Sequence, residues 1–216
     1  MASSAPYNHN KKENKMINTL KSICAAFVLT LMTVPAYADI SGKVGVASDN
    51  YFRGQNISDG FGYSAKGMWS HDSGLWAGGS LMSMADDDLM YSSHVGYSFN
   101  VGDLALNVAY SDRRIDDHDW QEIGMGVEFD LFGVRYHKGL DDAGDFYAID
   151  SGILKFVELE YGDWDDGGSY FKVSKDWDLM GGKLQAGYID HEDNEDDFAD
   201  KIQDFDNFYV GYSYEF

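Results

Sequence analysis

The sequence predicts an all-β protein: a transmembrane antiparallel up-and-down β-barrel of about 12 strands, with 10 as the alternative count, following a cleaved signal peptide. Three observations carry this. A basic, then apolar leader fills residues 1–38; residues 39–216 alternate apolar and polar side chains with almost no helical periodicity; and the chain ends on a strand with one aromatic face. Segments of alternating hydrophobicity separated by turns are the pattern of a barrel whose outer face meets lipid.

In the leader, Lys11, Lys12, Lys15 and Lys21 give a basic region, and Ile23 to Val34 is an apolar run. Ala36-Tyr37-Ala38 then supplies a small-x-small cleavage pattern. The run is shorter than the roughly 20 residues of a membrane helix. Cleavage is expected before Asp39, with translation starting at Met1 or Met16. Residues 39–216 then form a single barrel domain. That domain holds no cysteine and no proline, so an exported fold must stand without disulfides. No second apolar segment of spanning length follows, which leaves a closed barrel as the route across a membrane.

The strands follow in order. Ile40, Gly42, Val44 and Val46 oppose Ser41, Lys43, Gly45 and Ala47; Phe61, Tyr63, Ala65 and Trp69 oppose Ser64, Lys66 and Ser70. A Gly/Ser/Met strand at 75–84 has ambiguous facing. Leu89, Tyr91, Val95, Tyr97 and Phe99 oppose Ser92, His94, Gly96 and Ser98, and Leu104, Leu106, Val108 and Tyr110 oppose Ala105, Asn107 and Ala109. In the second half, Ile123, Met125, Val127 and Phe129 oppose Glu122, Gly124, Gly126 and Glu128. Val134 and Tyr136 oppose Arg135 and His137. The short segment 146–150 and its turn at Ser151-Gly152 are the reason 10 strands stay open. Val157, Leu159 and Tyr161 oppose Phe156, Glu158 and Glu160; Phe171 and Val173 oppose Lys172 and Ser174; Leu184, Ala186 and Tyr188 oppose Lys183, Gln185 and Gly187.

The last strand puts Phe208, Val210, Tyr212, Tyr214 and Phe216 on one face. Gly211, Tyr214 and the terminal Phe216 resemble the closing-strand signal of bacterial outer-membrane barrels, which implies the barrel-assembly machinery as a partner. Long outer loops are expected near 49–60, 85–88, 112–119, 139–145, 163–168 and 191–205, and short inner turns near 71–74, 100–103, 130–133, 150–152 and 178–182. Trp69, Trp76, Trp120, Trp164 and Trp177, near strand ends, are expected to form interfacial girdles.

Without the leader's four Lys and one Glu, 12 basic residues stand against 36 acidic ones, most of the acids being Asp in the predicted outer loops. Such a surface opposes nucleic-acid binding. The polar strand faces are balanced instead: Lys43, Lys66, Arg135, Lys172 and Lys183 against Glu122, Glu128, Glu158, Glu160 and Glu215. The candidate pore-lining residues are Lys43, Lys66, His94, Glu122, Glu128, Arg135, His137, Glu158, Glu160 and Lys172. A pore between those of 8- and 16-stranded barrels is narrow, and an acidic outer mouth gives it a cation preference.

The stretch Val46-Ala47-Ser48-Asp49-Asn50-Tyr51-Phe52-Arg53-Gly54-Gln55-Asn56-Ile57-Ser58 resembles the first-loop signature of the TorF-like porin family. Asn50 stands where that family carries an aromatic, and Gln55-Asn56-Ile57 lengthens the spacing to Ser58. The resemblance implies an outer-membrane barrel of passive transport function, with no shared catalytic residues or cofactor. Within the motif Arg53, a guanidinium among aromatics and acids, is the candidate constriction residue or loop anchor.

No catalytic motif and no cofactor site stand out. His118 among Asp116, Asp117 and Asp119, and His191 beside Asp190, Glu192 and Asp193, are the nearest to one. Asp163-Trp164-Asp165-Asp166-Gly167-Gly168 offers hard oxygens for weak divalent-cation binding, short of an EF-hand's closing Glu. The expected function is therefore a porin-like channel for passive diffusion of small solutes or ions, among outer-membrane lipid and lipopolysaccharide. A non-conducting structural or adhesive barrel, and a soluble exported β-sandwich binding carbohydrate or calcium, are the alternatives.

Overall fold

A computed structural model describes residues 38–58, 60–115, 118–140, 143–152, 156–165, 167–192 and 205–216. The expected signal peptide and most of the acidic residues of the expected outer loops, including Asp116, Asp117, Asp166 and the run 193–204, lie outside the described residues.

The fold is a closed antiparallel barrel of 12 strands, with a separate two-stranded hairpin in its first loop. The barrel strands are β1 (Ala38–Ala47), β4 (Gly62–His71), β5 (Leu75–Ser83), β6 (Leu89–Val101), β7 (Leu104–Ile115), β8 (His118–Phe129), β9 (Phe132–Leu140), β10 (Phe146–Ser151), β11 (Glu158–Trp164), β12 (Gly168–Leu179), β13 (Gly182–Glu192) and β14 (Phe205–Glu215). The hairpin consists of β2 (Tyr51–Phe52) and β3 (Gln55–Asn56). The larger strand count holds and the sandwich alternative does not, because β10 and β11 pair with each other and with both neighbours around the ring. They are also the shortest barrel strands, of 6 and 7 residues, which is why their alternation was hard to read.

Closure joins β14 to β1, so both ends of the domain lie at one end of the barrel. Lys43 faces Glu215 and Ala47 faces Gly211 across that seam. Gly42 and Phe216 exchange both backbone hydrogen bonds, at 2.7 and 2.9 Å. The Phe216 ring covers the space that a Cβ at Gly42 would occupy, and it stacks on Tyr214. Gly211 abuts Ala47 across the seam.

Every strand obeys a period of two. The outward rows are exposed and apolar, with Val44, Val46, Tyr97, Phe99, Val108, Ile123, Met125, Val134, Phe171 and Val210 among them. Such a belt is stable against hydrocarbon rather than water. The closed barrel with this belt is that of an outer-membrane protein, and the bacterial outer membrane is its location.

Two expectations need correction. The loop predicted at 112–119 is mostly strand: Arg114 pairs with Asp119 and Ile115 with His118 before the chain turns. Charged residues on both faces do not stop a ladder that has already left the lipid belt. The Trp girdle is also only partial. Trp76 donates to Ser98 Oγ at 3.0 Å, Trp120 donates to Glu122 Oε1 at 3.1 Å, and Trp164 is buried in the interior cluster. These three point inward.

Candidate functional site: the first-loop hairpin inside the barrel

The connection from β1 to β4 folds back into the lumen. Its turn is Arg53-Gly54, with φ of 51° and 85°, the left-handed pair that a two-residue hairpin of this twist requires. Gly54 suits it; Arg53 takes it at a cost of about 1 kcal/mol or more. A Cβ at Gly54 would also run into the Tyr170 ring.

The base of the hairpin is fixed to the rim. Asn50 is buried, and its amide donates to Ser83 O at 2.9 Å, Ser83 Oγ at 3.0 Å and Tyr63 O at 3.2 Å. Its backbone N–H donates to Ser58 Oγ at 2.7 Å, and Ala85 N–H donates to Ile57 O. A buried amide ties the first loop to β4 and β5.

From that base the tip reaches the far wall. Counted around the ring, β8 is the fifth strand from β1, yet Arg53 Nη2 lies 2.5 Å from Glu122 Oε1 on β8. Glu122 is completely buried. Besides Arg53 it holds Trp120 Nε1 on Oε1, and Arg113 Nε at 3.2 Å and His137 Nδ1 at 3.5 Å on Oε2. Arg113 also donates to Ser92 Oγ at 3.3 Å.

Aromatic rings complete the plug. Phe52 sits edge-on to both Trp120 and Trp164, with centroids 6.1 Å away in each case. The Arg53 guanidinium stacks 4.5 Å from the Phe146 ring and 5.2 Å from Phe52 and Trp164, while Arg113 lies 5.1 Å from Phe52. Phe146, Ala148, Trp164, Tyr170 and Ile189 form a buried cluster, with Tyr51, Phe52 and Phe205 packed against it. Burial lowers the Arg53 pKa to about 10, against the pull of Glu122. It pushes the Tyr51 hydroxyl up to about 12, with Asp49 adding to the shift.

A second network lies beside the first. Arg135 donates to Glu160 Oε2 at 2.6 Å and approaches Asp150 at 3.5 Å; Tyr170 donates to Glu160 Oε1 at 2.8 Å, and Lys172 lies 3.5 Å from the same oxygen. Nearer the termini the interior opens. Lys43 pairs with Glu215 at 3.3 Å, and these two, with Lys66 and Met68, line a cavity of about 460 Å³. A neighbouring cavity of about 320 Å³ is lined by Asp178, Lys183, Ser213 and Glu215.

The expected inward residues are thus distributed unevenly. Glu122 and His137 belong to the plug, and Arg135, Glu160 and Lys172 to the second network. His94 is hydrogen-bonded to Ser111 Oγ at 2.9 Å, on the inward row next to Arg113. Glu128 and Glu158 are exposed on the inward rows. Arg113, Trp120 and Trp164 were missed as site residues, although each continues the parity of a recognised inward row.

Asp190 and Glu192 do not share the face of His191. The histidine points inward, fully buried against the Phe205 ring. Among the described residues no group of three His, Cys, Asp or Glu side chains is placed to hold a metal ion.

No protein-family model and no curated protein matches the chain. Solved structures do. A KdgM porin is 13% identical, with 82% of this chain and 99% of the porin covered and a TM-score of 0.56. A KdgM porin in complex with disordered oligogalacturonate is 11% identical, with 83% and 99% covered and the same TM-score. At such identity the likeness is one of fold.

Proposed function

We propose that the chain is a porin-like channel for passive diffusion of small solutes, narrowed by the Arg53 hairpin. The observation that carries this reading is a polar, ion-paired interior within a closed barrel of porin fold. A purely structural barrel has no need to line its interior with Arg135, Asp150, Glu160 and Lys172 and, beside an open cavity, with Lys43 and Glu215. The fold likeness to KdgM porins and the first-loop resemblance to the TorF-like porins support the same class.

The ten inward candidates, together with Arg53, are proposed to line the path of the solute. Cation preference is assigned to the acidic loops at the end opposite the termini, which concentrate counter-ions before the constriction. No catalytic step is needed. Lipid and lipopolysaccharide surround the belt, the C-terminal strand is offered to the barrel-assembly machinery, and divalent cations bind weakly at the acidic rim.

The buried aromatic cluster favours one second reading: a plugged barrel that conducts little and serves as a structural or adhesive element. Liposome swelling separates the two. Proteoliposomes carrying residues 39–216 should swell in small neutral sugars and progressively less in larger ones. Absence of swelling with all sugars, from protein shown to be folded and inserted, supports the plugged reading.

A further inference from the structure

We propose that the Arg53 hairpin tip is a displaceable plug, hinged at Asn50 and Ser58, whose withdrawal converts the barrel from a closed to a conducting state. The inference rests on the channel reading above, and four observations carry it.

The first is that the wall does not need the hairpin. Glu122 takes hydrogen bonds from Trp120 on one oxygen and Arg113 on the other, with His137 also at Oε2. All of these donors are on β7, β8 and β9. When Arg53 leaves, the carboxylate stays paired with a guanidinium, and no buried charge is stranded.

The second is that the tip is not woven into the barrel. β2 and β3 form their own sheet of two residue pairs, and neither pairs with a barrel strand. Among the described residues, tip-to-wall hydrogen bonds are few beside the Arg53–Glu122 ion pair: Gln55 Nε2 to Gly167 O at 3.3 Å and Asn207 Nδ2 to Tyr51 Oη at 3.0 Å. No ladder has to break for the tip to move.

The third is that the closed position is costly for the arginine itself. Its side chain is 5% exposed, its Nη1 has no hydrogen-bond partner among the described residues, and its backbone is left-handed. Withdrawal restores water to the guanidinium and brings it toward the acidic outer rim.

The fourth is the contrast between tip and base. Asn50, Ser58 and Ile57 hold the base to β4, β5 and the 85–87 turn through buried hydrogen bonds. A base fixed by buried hydrogen bonds and a tip held by side-chain contacts, with no ladder to the wall, make a hinge rather than a mobile loop.

A disulfide staple tests this, because residues 39–216 contain no other cysteine. A Cβ built at Gly54 lies 2.6 Å from Tyr170 Cβ, so Gly54→Cys with Tyr170→Cys needs only a small opening to reach the ~3.8 Å of a disulfide. The oxidised protein should carry little current in a planar bilayer, and reductant added to the same membrane should raise the mean current several-fold through discrete openings. Equal currents before and after reduction, with the staple verified by mass, overturn the displaceable plug. A variant with residues 51–56 replaced by a Gly/Ser linker separates that failure from failure of the channel reading. If the linker variant conducts while the staple has no effect, the channel stands and the moving plug falls. If the linker variant is silent, both fall.

Discussion

Arg53 and Glu122 meet at 2.5 Å across the interior of the barrel, one from a loop fixed to the rim beside β4 and the other from β8 on the distant wall. Neither residue alone explains the arrangement. The carboxylate is fully buried among Trp120 and Arg113, which hydrogen-bond it, and Arg53 and His137, which lie against it, while three aromatic rings enclose the Arg53 guanidinium.

The two partners should not be equivalent. Glu122→Ala leaves Arg53 and Arg113 close together without a counter-charge, and should cost about 3–5 kcal/mol. Arg53→Ala removes one charged donor from a carboxylate that keeps Arg113, and should cost about 1–3 kcal/mol. Urea unfolding in detergent, followed by the gel shift between folded and heat-denatured protein, gives both values. Equal losses contradict the asymmetry.

Phe52 is the apolar anchor of the tip. Phe52→Ala removes the ring that packs against both Trp120 and Trp164, and water should enter where it was. Tryptophan emission should shift to the red and become accessible to a neutral quencher. Unchanged emission would mean that the tip does not pack there.

The hairpin should loosen in alkali through Tyr51. Its folded pKa is raised to about 12 by burial and by Asp49, above the value of about 10 for a free tyrosine. The neutral phenol is thus the form that the fold prefers. Stability from this group is complete below about pH 10 and is lost as pH rises toward 12. The difference in ultraviolet absorbance between the wild type and Tyr51→Phe isolates this ionisation. A midpoint near the free value contradicts the burial.

Asp145, at the rim between β9 and β10, should titrate below the ordinary carboxylate range. The hydrogen bonds from Lys138 Nζ, at 2.8 and 2.9 Å, and from Tyr136 Oη hold it down. Stability tied to it is therefore present above the unfolded carboxylate value and lost as pH falls through the folded one. In Lys138→Met the Asp145 titration, read by carbon NMR, should move up. No movement would remove the ion pair as its cause.

The barrel was legible in the sequence because period two survives in every spanning strand, from Lys43 opposite Val44 to Tyr209 opposite Val210. What was not legible had two sources. Strand ends were cut where polar residues begin, so Arg113 and Trp120 were assigned to a loop or a girdle although they continue the inward rows of Asn107 and Glu122. The meeting of Arg53 with Glu122 depends on how far a loop reaches across a ring of strands, and no local periodicity encodes that. Arg53 could be singled out by its chemistry; its partner could not.

The most direct measurement is planar-bilayer conductance of residues 39–216 beside the variant in which a Gly/Ser linker replaces residues 51–56. Discrete, salt-dependent steps that grow on loss of the hairpin, with cations favoured, are predicted for a channel narrowed by Arg53 at Glu122. Folded, inserted protein that stays silent in both forms would contradict the account.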